Sequence, residues 1–303
     1  MNRASAEPAA TGPAGAGHAG TEAGARAGVL TVAAAPIGDP ADASARLGAA
    51  LASAGLIAAE DTRRLRRLAT ALGVRLTGRV VSYYDDVEAR RVPGLLAELA
   101  AGHDVLLVTD AGLPGVSDPG YRLITAAAQA GIRVTVLPGP SAVTTALVVS
   151  GLPGDRFAFE GFPSRRRGER ERRFAELAAE RRTLIFFESP RRIGETLAEL
   201  AVAFGARRRA AVCRELTKTH EEVLRGALGD LAGQLSEGTL GEVTLVVAGA
   251  PVAEDGPAEL AEAVAQVQAQ VQGGATTRDA VAAVAAATGL RKRDLYNAAA
   301  GGQ

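Results

Sequence analysis

Three short stretches of the 303-residue chain combine glycine and proline, two of them with acidic residues, in the manner of ligand-binding loops. The first, AAAPIGDP at 33–40, sets Pro36, Gly38 and Pro40 between an apolar run and a helix expected from near Asp42, so that a ligand could approach bare backbone. It lacks both the G-x-G-x-x-G spacing and a phosphate-loop lysine, which disfavours NAD and ATP. The second, VTDAGLPGVSDPG at 108–120, gathers Gly112, Pro114, Gly115, Pro119 and Gly120 between Asp110 and Asp118. Few turns need so many special dihedrals, and carboxylates with backbone amides at the ends of parallel strands can hold the amino-acid and ribose parts of a cofactor. The third, LPGPSA at 137–142, opens a helix with Pro140 near its first turn.

Four carboxylates at strand ends, Glu60, Asp61, Glu188 and Glu215, are candidates for proton transfer; ion pairing with a neighbouring arginine is the competing role of each. Arginines cluster twice, as Arg63, Arg64, Arg66 and Arg67, and as Arg165, Arg166, Arg167, Arg170, Arg172 and Arg173. Nucleic-acid phosphates are one partner for such runs; a solvated helix face neutralised by Glu169 and Glu171 is the other. Arg191 and Arg214 are further candidate clamps for phosphate or carboxylate, or partners of Glu188 and Glu215. Tyr83 and Tyr84 suit either stacking on an exposed base or burial at the end of a strand. One cysteine, Cys213, excludes an internal disulfide, and His18, His103 and His220 offer no zinc-ligand spacing, so no metal is expected.

The elements that must position these residues form a βαβ pattern. Apolar runs at 29–35, 56–61, 80–85, 104–110 and 133–139 alternate with segments of helical spacing such as ARLGAALASAG and VPGLLAELAAG, which end at glycine. A mainly parallel sheet covered by helices is expected. The Gly151–Asp155 segment GLPGD breaks the pattern and predicts a domain boundary. Strands resume at 156–162, 183–189, 209–216, 221–228 and 243–250, two of them hairpin-like around Thr217–His220, so the second sheet should be mixed. The domains expected are 29–152 and 153–250, with a disordered Ala/Gly/Pro tail at 1–28 and a linker and helical module at 251–303. That last piece reads as helix, Gly289 turn, helix; such a unit is a packing appendage or a helix-turn-helix nucleic-acid module.

Taken in order, the three loops, then FEGF (159–162), FFESPRR (186–192) and CRELTKTHEE (213–222), resemble the ribosomal RNA small subunit methyltransferase I family, a branch of the tetrapyrrole methylase superfamily. EDTRR at 60–64 separates this branch from the porphyrin-modifying members, and the likeness covers roughly 29–250 with a similar helical tail. The resemblance implies two α/β domains with S-adenosylmethionine in the cleft between them, usually a homodimer, and 2′-O-methylation of a decoding-centre cytidine in 16S rRNA of the small ribosomal subunit. It points to Pro36, Gly38, Asp110, Ala111, Gly112, Pro114, Val116, Ser117, Pro138, Gly139, Pro140 and Ser141 as cofactor contacts, with Ser189 and Pro190 closing from the second domain. Arg63, Arg64, Arg165, Arg166, Arg167, Arg170, Arg191 and Arg214 become the RNA-binding candidates. Departures from the usual ATPIGN and DAGTP loops stand at Ala35, Asp39 and Leu113. Two other functions stay open at this point, a methyltransferase acting on a tetrapyrrole or other small acceptor, and a catalytically silent rRNA-binding assembly protein.

Composition narrows the setting. Hydrophobic residues make up 47% and charged residues 22%, at a formal net charge of zero, which argues against a wholly basic nucleic-acid binder while leaving room for a local basic face. No run of 18 apolar residues predicts a membrane span, and the cysteine usage suits a reducing cytoplasm.

Overall fold

The computed structural model describes residues 26–251, 257–288 and 290–300; most of the expected tail, the middle of the linker and Gly289 lie outside the described residues. One compact unit runs up to Ala142 and a second begins at Val143.

In the first unit, β1 (Leu30–Ala33), β2 (Leu56–Ala59), β3 (Arg79–Ser82), β4 (Val105–Val108) and β5 (Val134–Leu137) form one parallel sheet in the order β3-β2-β4-β1-β5. Central strands of such a sheet are covered on both faces, which is why β2 and β4 read as unbroken apolar tetrapeptides with every residue buried. Leu47 and Leu51 of α1 (Ala45–Ser53) and Leu65 of α2 (Thr62–Ala71) pack with Ile57, Leu106 and Val108 on one face. Leu95 and Leu99 of α3 (Asp85–Ala100) and Leu123 and Ala127 of α4 (Tyr121–Gln129) pack with Leu30, Ala58 and Leu107 on the other. The chain therefore leaves β1 over one face and the adjacent β4 over the opposite one, so a crevice opens where their carboxyl ends diverge. The helix expected around VPGLLAELAAG reaches back past Pro93 to Asp85, where Asp85, Asp86 and Glu88 in the first turn complement the helix dipole.

Each strand is shorter than its apolar run. Beyond Val108, the Thr109 hydroxyl donates to the Ala111 carbonyl (3.2 Å), and the Asp110 amide turns to a carboxylate instead of a ladder partner.

The division between the units falls at the first turn of α5 (Ala142–Ser150), between Ala142 and Val143 and about eight residues before the Gly/Pro punctuation at 151–155. The carbonyls of Val149 and Ser150 accept hydrogen bonds from Arg225, and that of Ala146 from the Cys213 thiol. Helix α5 is thereby tied to the second sheet. That sheet orders β6 (Phe157–Gly161), β7 (Thr183–Glu188), β8 (Arg209–Arg214), β9 (Glu222–Ala227) and β10 (Val243–Val247) as β6-β7-β10-β8-β9. Only the β6–β7 pair is parallel, so the sheet is mixed. One face packs its core against α6 (Arg167–Leu177), α7 (Ile193–Phe204) and α8 (Leu228–Gln234), with Phe174, Phe186 and Phe204 meeting edge to face.

The C-terminal helices α9 (Pro257–Gln272), α10 (Thr277–Thr288) and α11 (Lys292–Ala300) bury a small core of their own, including Val267, Val281, Val284 and Leu295. The α10 start is fixed by a reciprocal cap, Thr276 Oγ1 accepting from the Asp279 amide (3.1 Å) and donating to the Asp279 carboxylate (2.7 Å). No helix among the described residues is long and apolar enough to cross a membrane.

Candidate functional site

All three loops of the first unit emerge at the carboxyl edge of its sheet, and backbone contacts join them. Ala35 and Gly112 exchange two hydrogen bonds (2.8 and 3.1 Å), clipping the first loop to the second. The Ala34 amide donates to the Leu137 carbonyl (3.0 Å), and a Cβ on Gly139 would stand 2.9 Å from that of Ala34, so glycine alone lets the third loop lie this close.

The second loop carries the unusual backbone. Gly112, Gly115 and Gly120 take positive φ, and so does Ser117 at 61°, a conformation that a non-glycine residue holds only when its surroundings fix it. A side chain on Gly112 would project into open space, whereas one on Gly120 would strike the Gly115 amide at 2.9 Å. Glu88 anchors the far end of this loop. Its Oε1 accepts from the Tyr83 hydroxyl (2.8 Å), the Gly120 amide (3.0 Å) and the Arg122 amide (3.2 Å), capping α4 from a neighbouring helix. Tyr83 is thus a wholly buried core residue, with its phenol pKa raised by burial, and not a stacking platform; Tyr84 is exposed. Sequence reasoning missed Glu88, since nothing in a charged helix start marks one of three acids as buried.

At the near end, two carboxylates trade backbone contacts. Glu60 Oε2 accepts from the Asp110 amide (3.0 Å), and Asp110 Oδ1 accepts from the Asp61 amide (3.1 Å). Burial raises the pKa of both, while Arg64, whose Nε lies 3.4 Å from Asp110, works against the rise. Asp61 instead caps α2 through the amides of Arg63 and Arg64 (2.7 and 3.3 Å), and these bonds hold its pKa below the ordinary value. Ala35 is wholly buried, so its missing hydroxyl is absent from the packed core and not from the loop surface. Asp39 caps the turn at Pro40–Asp42 through the Ala41 amide (2.8 Å). Pro36 and Pro114 are buried and shape their loops; Gly38, Ala111, Gly112, Pro140 and Ser141 are partly exposed; Val116, Ser117, Pro138 and Gly139 are exposed.

The second unit uses its carboxylates differently. Glu188, its side chain fully buried, accepts from the Ser189 amide (2.6 Å) and the Thr196 hydroxyl (2.5 Å) and pairs with Arg192 at 3.3 Å. Glu215, held at φ 52°, accepts from Lys218 Nζ (2.9 Å) and the Glu242 amide (2.8 Å), and the lysine hydrogen bond lowers its pKa. Neither pairs with the arginine expected from sequence, because Arg192 takes the place proposed for Arg191, and Arg214 bonds Glu222 (2.8 Å) and the Leu240 carbonyl (3.1 Å). Ser189 and Pro190 are partly exposed at the start of the turn into α7.

The arginine run also divides. Arg170 is 2% exposed, and Glu199 grips its guanidinium at both Nε (2.5 Å) and Nη2 (2.7 Å), with Glu195 (2.6 Å) and the Ser164 carbonyl (3.1 Å) completing the set. Its place on the inner face of α6 removes it from the RNA-binding candidates. Arg166 and Arg167 are exposed but paired along the helix with Glu169 and Glu171, and Arg173 is paired with Glu160 and Glu176. The side chains of Arg165, Arg172 and Arg191 are exposed and make no hydrogen bond or ion pair among the described residues; the same holds for Arg63, Arg66 and Arg67 on α2. Among the described residues no three His, Cys, Asp or Glu side chains are grouped so as to hold a metal ion.

The pattern for tetrapyrrole (corrin/porphyrin) methylases matches residues 29–232 of this chain. A ribosomal RNA small subunit methyltransferase I from Mycobacterium tuberculosis (strain CDC 1551 / Oshkosh) is 55% identical over 272 residues, spanning 89% of this chain and 94% of that relative. One from Mesorhizobium japonicum is 41% identical over 269 residues, spanning 88% and 90%. Among solved structures, uroporphyrin-III-C-methyltransferase from Thermus thermophilus superposes with a TM-score of 0.53 at 24% identity, covering 73% of this chain and 94% of that one, a likeness of fold. With the loops, the two sheets and this identity along most of its length, the chain belongs to the tetrapyrrole methylase family, within the ribosomal RNA small subunit methyltransferase I branch.

Proposed function

We propose that this protein transfers the methyl group of S-adenosylmethionine to the ribose 2′-hydroxyl of a cytidine in the decoding centre of 16S rRNA. The observation that carries the reading is the 55% identity, over nearly the whole length of both chains, to relatives named for methylation of small-subunit ribosomal RNA. The loops of the first unit suit the donor. Gly112 leaves open space beside its backbone, the amides of Ala111 and Leu113 make no hydrogen bond among the described residues, and Asp110 offers a carboxylate at the mouth. Bound there, S-adenosylmethionine would supply an electrophilic methyl group on a sulfonium.

The residues of the chain then have two tasks. Orientation is the larger, worth on the order of 7–11 kcal/mol when reacting atoms are held in line. The rigid Ala35–Gly112 clip and the Glu88 anchor restrain both ends of the second loop for it. The second task is to accept the hydroxyl proton, and among the four carboxylates Glu60 suits it best. Its Oε2 is fixed by the Asp110 amide, its Oε1 makes no hydrogen bond among the described residues, and burial makes it more basic than an ordinary carboxylate. Asp61, Glu188 and Glu215 are each spent on caps or ion pairs. On this reading the protein works in the cytoplasm as a homodimer, which sedimentation tests.

The decisive experiment offers labelled S-adenosylmethionine with small ribosomal subunits from cells lacking this protein. Label should enter one ribose in the subunit and not uroporphyrinogen. Label in the tetrapyrrole alone would overturn the reading, and failure to bind the donor by calorimetry would make the protein a silent binder.

A further inference from the structure

The second unit has a hollow of about 380 Å³ walled by Phe162, Pro163, Arg165 and Arg191, over Glu188 and Arg192. Phe162 is a large apolar side chain left 60% exposed. It is also braced, tilted against Phe187 at a centroid distance of 5.5 Å, while Phe187 meets Phe159 edge to face at 4.8 Å. Gly161, at φ 67° beside a register shift in β6, turns the chain so that Phe162 leaves the sheet. Beneath it, Arg192 ties the loop down through the carbonyls of Pro163 (3.2 Å) and Ser164 (3.3 Å) and neutralises Glu188. Glu169, on the helix that follows, is taken up by Arg166 and the Ser164 hydroxyl. Arg165 and Arg191 are left as unbalanced positive charges on the rim.

A braced aromatic face, a hollow of small-ligand size and two unpaired guanidiniums are the parts that recognise a single unstacked nucleotide. We propose that this hollow is a nucleotide subsite, in which Phe162 stacks on an unpaired base of the RNA and Arg165 and Arg191 hold the adjoining phosphates. The assignment rests on the rRNA reading above and adds to it a requirement for single-stranded RNA.

The test uses the full-length protein and a short fluorescein-labelled single-stranded RNA, with the same strand annealed to its complement as control. The single strand should bind more tightly than the duplex. Phe162→Ala should weaken that binding about tenfold and Phe162→Tyr by no more than about twofold, since stacking needs only an aromatic face. Arg165→Ala and Arg191→Ala should each lower the slope of log affinity against log salt by about 0.7. Donor affinity should be unchanged in all four variants. Equal binding by wild type and Phe162→Ala, equal binding of single strand and duplex, or a loss of self-association in Phe162→Ala with RNA affinity intact would each overturn the subsite. Its failure is separable from that of the methylation reading. Wild type that binds the strand through Phe162 yet never labels small subunits refutes only the latter. Labelling with an unchanged KM for subunits in Phe162→Ala refutes only the former.

Discussion

Glu60 and Asp110 in the first unit, and Glu188 and Glu215 in the second, all stand at or just beyond the carboxyl end of a strand, and their surroundings diverge. In the first unit the partners are chiefly backbone amides, with one half-exposed arginine beside Asp110, and burial raises the pKa of both acids. In the second, a side-chain cation stands within 3.3 Å of each acid, with a hydroxyl and an amide also donating to Glu188 and an amide to Glu215. The difference lies in the chain just past each strand end. Where parallel neighbours leave over opposite faces, their loops splay and leave carboxylates underused; in the second unit the following turn carries its own cation, Arg192 four residues after Glu188 and Lys218 three after Glu215. Acids of the first kind can do chemistry, and those of the second hold the fold.

Substitutions can break or sharpen that contrast. Arg170→Met removes a buried guanidinium and strands Glu199, so urea unfolding should show a loss of about 3–5 kcal/mol, with RNA affinity unchanged in protein that folds. A variant as stable as the parent would place Arg170 outside the structural set. Glu60→Gln keeps a carbonyl for the Asp110 amide but cannot take up a proton. Turnover should fall about 100-fold while donor affinity holds. Its pH dependence sharpens the point. Because burial raises the folded pKa of Glu60, the native state binds the extra proton, and the stability cost of the charged form is present above that pKa and relieved as pH falls through it. Glu60→Gln should therefore be no less stable than wild type at neutral pH, should lose that edge in acid, and should lack the acidic limb of the wild-type turnover profile. Asp110→Ala, which also frees Arg64 and the Asp61 amide, should weaken donor binding at least about tenfold by calorimetry. Unchanged affinity would detach the second loop from the cofactor. Gly241→Ala has the smallest effect, about 1 kcal/mol, read as a lowered Tm. Gly241 sits at φ 84°, and its Cβ would strike the Glu215 carboxylate, so an unaltered Tm would show the Glu215 turn to be softer than its contacts imply.

Much of this was legible from residues alone. The tetrapeptides LIAA and VLLV announce buried parallel strands, and the Gly/Pro density of 108–120 announces backbone that only a special turn adopts. Arg170 was not legible, because it shares its run with exposed arginines; only its rotation on α6 toward Glu195 and Glu199 distinguishes it. Phe162 was equally hidden. Within FEGF it reads as one more strand residue, and the turn at Gly161 decides that it faces outward.

Sequence by itself determined the two sheets, the order of the loops, the family and the residue types at the strand ends, since period, punctuation and motif are local properties of the chain. Tertiary structure alone decided which arginine is buried and which strand-end acids meet backbone amides of another loop. Those outcomes depend on groups brought from 25 to 50 positions away, as Glu195 and Glu199 are to Arg170 and Glu60 is to Asp110. A charge takes its energy from whatever stands within a few ångströms, and no local pattern encodes that neighbour.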